Sequence, residues 1–260
     1  MFGVHGAGGR RAVVGAGCAV VALVGLAGCG SGGGSDKDEA GREGAGQGPA
    51  PSRPAATAGP ADGLTEAQLT AVAFADGEPA GGLTASEYTL DGPLGDSYTA
   101  DPAPCQPLVS LAGDVSGHAP VAQVQRKADK PGEMLGVTVD VTLRSYGDGE
   151  AAKVMASLER AGRDCAGGFT EVRAVARARY EKAEPAALPA FADEADEAKA
   201  YRFTVLDVKG KLKLYEYLTV LRSGSTTLAF RAEILGTQDI GGVPEDVMAA
   251  QWRKFRAGQA

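Results

Sequence analysis

The sequence predicts an α+β fold in which helices pack on one face of a mostly antiparallel sheet. Apolar and polar residues alternate from Leu135 to Leu143, a period of two that is typical of a half-buried strand. Further apolar segments between residues 200 and 235 follow one another closely, and Ser223-Gly224-Ser225 supplies a turn between the last two. Residues 151–165 instead repeat their apolar side chains at helical spacing.

The remaining elements follow from local signals along residues 63–260, a length that suits one domain with a full core. Glu66 lies in the first turn of a helix that begins at 64–69, and Pro244 is expected at position N1 of a final helix. Further helices are predicted at 102–111 and 148–164. Strands are predicted at 81–89, 121–126, 135–143, 171–180, 200–208, 211–221 and 226–235.

Composition and charge exclude several classes of protein. The chain has 260 residues, of which 44% are hydrophobic and 23% charged, with a formal net charge of −7. This composition is that of a globular protein over most of the chain. The acidic balance argues against a nucleic-acid partner, because binding to phosphates needs a basic surface.

The first 28 residues have the pattern of an export signal. Arg10-Arg11 precede a run of sixteen mostly apolar residues, 12–27, which is shorter than the ~20 residues that span a bilayer. The run ends in Leu26-Ala27-Gly28-Cys29, which resembles the bacterial lipobox at all four positions. The resemblance implies cleavage before Cys29 and attachment of diacylglycerol to its sulfur. An ordinary cleaved signal or a poor transmembrane helix is the alternative, and the export route, general secretory or twin-arginine, stays open.

Residues 29–62 are predicted to be a disordered tether. From Gly30 to Asp62 there is no Val, Ile, Leu, Met, Phe, Tyr or Trp, so the segment has no side chains that could build a core. A flexible chain of this length spans roughly 30 Å on average. Removal of residues 1–28 takes away two arginines and no acid, so the net charge of the remaining chain is −9. An anionic membrane repels such a chain, and the lipid must therefore hold it there.

The cysteines predict one disulfide in the folded domain. Cys18 leaves with the signal and Cys29 is the expected lipidation site, so Cys105 and Cys165 remain. Outside the cytoplasm an isolated pair of cysteines is more typical of a disulfide than of a metal or redox site. Two separate buried thiols are the alternative.

Five short elements recur in the order that is found in one known family. They are Pro104-Cys105-Gln106-Pro107-Leu108, the alternating strand 135–143, the helix 151–165, Asp193-Glu194-Ala195 and Leu221-Arg222-Ser223-Gly224. Over roughly residues 64–258 the chain resembles the PknH-type extracellular sensor domains and related secreted lipoproteins of high-GC Gram-positive bacteria. The resemblance implies a disulfide-linked α+β domain with a cleft for an extracellular ligand. Kinase-linked members of the family have two bridges, whereas Cys105 and Cys165 allow one, and kinase signalling is not carried over to this chain.

Few side chains are candidates for chemistry. Arg173, Arg177 and Arg179 are predicted to project from one strand face, where they would meet an anionic head group or a glycan carboxylate. The alternative is an exposed face on which the arginines pair with acids. His118, the one histidine after residue 28, is expected to be an ordinary loop residue. A single histidine does not build a zinc site of several histidines, and we predict no metal, no cofactor and no catalytic residue.

Two classes of function follow. The first is a non-catalytic binding or sensor-like domain, held by its N-terminal lipid at the outer face of the cytoplasmic membrane. Its ligand would be a small molecule, a glycan or a protein, and a lipid or glycolipid carrier with a large apolar cavity is a distinct version. The second is a secreted hydrolase with two carboxyl groups about 5–10 Å apart across a cleft. Its candidate acids are Asp140, Asp193, Glu194 and Asp207.

Overall fold

A computed structural model describes residues 63–89, 92–132 and 136–259. The predicted signal peptide at 1–28, the tether at 29–62 and the lipidation site Cys29 lie outside the described residues. Leu135, at the start of the alternating strand, lies outside them too.

The described chain forms one antiparallel sheet in the order β1-β2-β4-β5-β10-β9-β8-β7-β6-β3. The five strands of nine or more residues, β5 and β7 to β10, lie next to one another, whereas the two edges carry strands of only two and three residues. The bounds are β1 Pro79–Ala80, β2 Leu83–Ser86, β3 Thr99–Asp101, β4 Ala122–Asp129, β5 Val137–Ser145, β6 Phe169–Val172, β7 Arg177–Pro185, β8 Glu197–Leu206, β9 Lys213–Ser223 and β10 Thr226–Ile234.

Five helices accompany the sheet, and the predicted α+β class is confirmed. Their bounds are α1 Glu66–Val72, α2 Gln106–Val109, α3 Gly113–Ser116, α4 Glu150–Asp164 and α5 Glu245–Ala257. A capping box begins α1, in which the Thr65 hydroxyl accepts from the backbone N–H of Gln68 and the Gln68 side chain accepts from the N–H of Thr65. Pro244 is the N-cap of α5 rather than its first helical residue. None of these helices is long and apolar enough to cross a membrane.

The helices lie on both faces of the sheet, which corrects the prediction of a single covered face. Helices α1 and α5 pack against Leu143, Phe230 and their neighbours in a core that includes Trp252. Helices α2 and α4 pack against Leu218 and Phe203 in a second core. Because successive residues of a strand point to opposite faces, Tyr217 and Leu218 of β9 belong to different cores. Helical periodicity shows which side of a helix is buried, but it does not show which face of the sheet receives it.

The predicted disulfide is confirmed and lies in the second core. Cys105, directly before α2, is bonded to Cys165, the residue after α4, and both are almost fully buried. The bond therefore ties the segment before β4 to the end of the long helix. Leu108 and Leu158, neither of them exposed, belong to the same core.

One predicted strand is wrong. Residues 171–180 do not form a single strand, because the chain reverses at 173–176 and forms the hairpin of β6 and β7. The backbone N–H of Arg173 donates to the carbonyl oxygen of Ala176 at 2.9 Å and closes the turn. The turn, Arg-Ala-Val-Ala, contains none of the residues that usually signal one, so the sequence pattern continues through it without a break.

Candidate binding site

The segment 93–111 lies across one face of the sheet, and a small cavity lies between the segment and the sheet. The sheet side of the cavity is formed by side chains of β5, β9 and β10: Asp140, Thr142, Arg144, Leu218, Ala229 and Arg231. The segment adds residues that include Pro93, Asp96, Pro107 and Ser110. The cavity has a volume of about 40 Å³, which gives room for a few water molecules.

Two arginines hold the segment on the sheet. Arg144 is only 2% exposed and places its Nη2 2.7 Å from Oδ2 of Asp96. Arg231 donates from Nη2 to the carbonyl oxygens of Leu108 and Val109, at 2.5 and 2.9 Å. Both cations therefore hold residues 93–111, here called the cover, on the sheet by charge-assisted hydrogen bonds. Their side chains also line the cavity.

The cover explains why β5 does not have the solvated face that its alternation predicts. Val139, Val141 and Leu143 point into the first core, as expected. Thr142 and Arg144 alternate with them but are also buried, because the segment 93–111 lies over them. A polar strand face therefore marks this site rather than an exposed surface.

A chain of buried polar groups continues from Arg231 across four strands. Its Nη1 lies 3.5 Å from Oε2 of Glu216, and the same oxygen lies 2.6 Å from Oη of Tyr180. That phenol oxygen is also 3.0 Å from Oε2 of Glu171, whose other oxygen accepts from Nε of Arg173 at 2.6 Å. One phenol proton cannot serve two carboxylates, so one of the two carboxyl groups must carry a proton if both contacts are hydrogen bonds.

The pKa shifts indicate which carboxyl group holds that proton. Burial, together with the negative charge of Glu233, raises the pKa of Glu216 to about 7, against the opposing effect of Arg231. Glu171 has Arg173 beside it instead. Glu216 is therefore the carboxyl group that holds a proton more readily. On the other side of the cavity, burial also raises the pKa of Asp140 to about 6, although Asp140 accepts a hydrogen bond from Tyr88.

The three arginines predicted to bind an anion do not form one cluster. Arg173 lies in the β6–β7 turn, bonded to Glu171, with its guanidinium 5.0 Å from the centre of the Tyr98 ring. Arg177 and Arg179 alternate with Tyr180 along β7, so they point to the opposite face of the sheet. Arg177 lies 3.7 Å from a carboxylate oxygen of Asp101.

His118 lies in a loop, as predicted, but both of its ring nitrogens are engaged. Nδ1 is 2.6 Å from Oε1 of Glu150, and Nε2 is 3.2 Å from Oγ of Ser157. With the carboxylate accepting from Nδ1, the serine hydroxyl donates to Nε2, which is the order of atoms in a Ser-His-acid triad.

Acyl transfer also requires N–H donors for the oxyanion. Ser157 lies in the interior of α4, where backbone N–H groups bond within the helix. The free N–H groups at the first turn of α4 are about 9 Å away along the helix axis. The cluster therefore joins the loop at 117–120 to α4, and the helix around Ser157 offers it no unbonded N–H group.

The acids suggested for a hydrolase are dispersed. Glu194 accepts from Nε1 of Trp252 at 2.9 Å, and Asp207 accepts backbone N–H groups in the β8–β9 turn. Asp140 lies in the cavity, and Asp193 is in the short helical turn 192–194. Within the described ranges there is no group of three or more His, Cys, Asp or Glu side chains that is placed to hold a metal ion.

The described chain therefore belongs to the α+β class: one antiparallel sheet has helices on both faces, and one disulfide joins two of its segments. No protein-family model and no curated protein matches the chain. Among solved structures, the extracellular domain of PknH from Mycobacterium tuberculosis is similar, with a TM-score of 0.51 and 13% sequence identity over 76% of this chain and 98% of that one. At this identity the likeness demonstrates the fold alone, and it confirms the fold that the sequence elements imply.

An uncharacterised protein from Mycobacterium smegmatis also matches, with a TM-score of 0.33 and 14% identity over 67% of this chain and 85% of that one.

Proposed function

We propose that this protein is a lipid-anchored, non-catalytic binding or sensor-like domain at the outer face of the cytoplasmic membrane. The observation that carries the proposal is the shared fold, which extends over 98% of the extracellular domain of PknH. The lipobox-like segment at 26–29 supports the anchor.

The cavity beneath residues 93–111 is the proposed ligand site. Two cations, Arg144 and Arg231, and two carboxyl groups, Asp96 and Asp140, line it. Paired charges in a small volume suit a polar ligand of a few heavy atoms that both donates and accepts hydrogen bonds. A larger ligand would require the cover to open.

A groove beside α4 favours the carrier version as a second candidate. It has a volume of about 430 Å³, and its walls are mostly apolar: Gly162, Ala166, Pro185, Ala186, Leu188 and Tyr201. The groove is open to solvent, so an acyl chain in it would be covered on one side only. We rank this candidate second, because a carrier requires the apolar surface of its cargo to be enclosed.

The anchor is tested by labelling with a palmitate analogue in a bacterial host that processes lipoproteins. We expect the wild-type chain to take up the label and Cys29→Ala to lose it, because the thioether forms on the sulfur of Cys29. Cys18→Ala is the matched control and should retain the label, since it removes a thiol from the segment that is cleaved. Label that persists in Cys29→Ala contradicts the anchor.

The ligand site is tested by native mass spectrometry of residues 63–260, which lack the lipidation site and are secreted behind a cleavable signal. We expect an added mass on the wild-type chain that Asp140→Asn reduces at least about tenfold, because the substitution removes a charge from the cavity wall. Asp114→Asn, on the exposed α3, is the control that should keep the mass. A clean mass for the wild-type chain contradicts the bound ligand, and an added mass that extracts into organic solvent favours the carrier.

A further inference from the structure

A row of exposed apolar side chains lies along one end of the sheet. Leu235 follows β10, Leu212 precedes β9, Val208 follows β8 and Val175 precedes β7. These four strands are consecutive neighbours and antiparallel, so the four residues share one end. Their exposed fractions are 67%, 53%, 99% and 99%. With strands ~4.8 Å apart, the row extends over roughly 15 Å.

Lysines flank this row. The β8–β9 turn reads Val208-Lys209-Gly210-Lys211-Leu212, so each of two apolar residues has a lysine beside it. Lys209 and Lys211 are exposed, and no carboxylate of the described ranges lies within 4 Å of either ammonium group. The carboxylate of Asp207 is occupied inside the turn, where it accepts the backbone N–H groups of Lys211 and Leu212 at 2.6 and 2.9 Å.

The chain after residue 28 has a net charge of −9, so two exposed lysines without a neighbouring carboxylate are a local exception. Arg177 and Lys213 lie at the same end, although each has an acid nearby, at 3.7 and 3.3 Å. Exposed apolar side chains next to unpaired cations form the surface that binds the interface of an anionic bilayer. A nonpolar partner would not account for the lysines, and a soluble anion would not account for the apolar row.

We propose that this end of the sheet, Val175, Val208, Leu212 and Leu235 with Lys209 and Lys211, is a second membrane contact that selects anionic lipid. The inference rests on the proposed function, which places the domain at a membrane surface. The apolar row enters the head-group region, and the lysines neutralise lipid phosphates.

The position of the tether permits this orientation. The backbone N–H of Leu64 donates to Oγ of Ser145 at 2.5 Å, so the described chain begins at the opposite end of β5 from the apolar row. Strand β9, with 11 residues, is about 36 Å long. The 34 residues from Cys29 to Asp62 can extend to roughly 110 Å, which exceeds the length of the sheet.

The test is co-sedimentation of the chain from residue 29 with vesicles, in a Cys29→Ser background so that no acyl chain contributes. We expect binding to vesicles of phosphatidylglycerol and phosphatidylcholine, and little binding to phosphatidylcholine alone. Lys209→Glu with Lys211→Glu should weaken binding at least about thirtyfold, and Val175→Asp with Val208→Asp at least about tenfold. Added salt should weaken the wild-type binding as well.

Val121→Asp is the matched control, because Val121 is 59% exposed and lies at the opposite end of the sheet, where its backbone N–H donates to the carbonyl oxygen of Ser145. Circular dichroism of each variant checks that the fold is retained. A wild-type chain that ignores anionic vesicles, or row variants that bind as the control does, would overturn the inference. The result does not depend on acylation, so a chain that fails palmitate labelling but binds vesicles loses the proposed anchor and keeps this contact.

Discussion

Replacement of both Cys105 and Cys165 by serine is expected to lower the free energy of unfolding by about 4 kcal/mol. The disulfide closes a loop of 60 residues, and the unfolded chain gains conformational entropy when that loop opens. The loss is concentrated where the bond lies, because it joins the start of α2 to the end of α4. The cover of the cavity therefore depends on it.

Urea unfolding monitored by circular dichroism measures this loss. A background of Cys18→Ser and Cys29→Ser removes the other thiols, so that exchange between cysteines does not complicate the comparison. The control is the background chain treated with a reductant, which should unfold at the same urea concentration as the double serine variant. A difference below about 1 kcal/mol between the oxidised background chain and the variant would contradict the prediction.

Arg231→Met is expected to cost about 3–5 kcal/mol at pH 8. The substitution keeps the length of the side chain but removes the cation 3.5 Å from Glu216 and the donors to Leu108 and Val109. The carboxyl group of Glu216 then remains buried without a counter-charge, and two carbonyl oxygens of the cover lose their partner. Thermal or urea unfolding at fixed pH measures the effect.

The pH dependence of this loss of stability tests whether the carboxyl group of Glu216 causes it. The pKa of Glu216 is raised in the folded protein from its ordinary 4.5 to about 7, so its contribution to stability is complete below pH 4.5 and is lost as the pH rises through 7. The loss caused by Arg231→Met should therefore be smaller at pH 5 than at pH 8. Glu216→Gln should flatten this part of the pH profile, and adding it to Arg231→Met should restore part of the stability at pH 8. An equal loss at both pH values would exclude the stranded carboxylate as the cause.

The sequence predicts much of this fold because long elements carry strong periodicity. The alternation in β5, the helical spacing in α4 and the glycine turn between β9 and β10 each determine an element from within one short window. The disulfide follows from the number of cysteines rather than from geometry. The sequence does not predict the β6–β7 turn, because its residues, 173–176, lack glycine, proline and asparagine.

The candidate site is much less visible in the sequence. Glu171, Tyr180, Glu216 and Arg231 lie on four different strands, and only the order of strands in the sheet brings them together. In each strand a polar residue alternates with apolar ones, which is also the pattern of a solvated face. Whether such a face is buried or solvated depends on residues 93–111, which cover it here. No local pattern in that segment predicts which surface it will cover.

The two edges of the sheet have a consequence for self-association. An exposed edge strand offers unpaired N–H and carbonyl groups to which another chain can add a strand. Here one edge is Pro79–Ala80, where proline has no N–H to offer, and the other is Thr99–Asp101, which is followed at once by Pro102. Short strands that begin with proline or are followed by it give a second copy few places to pair. The backbone hydrogen bonds of the ten strands are thus made within one molecule. The protein can therefore be crowded on a surface without edge-to-edge pairing of sheets from different copies.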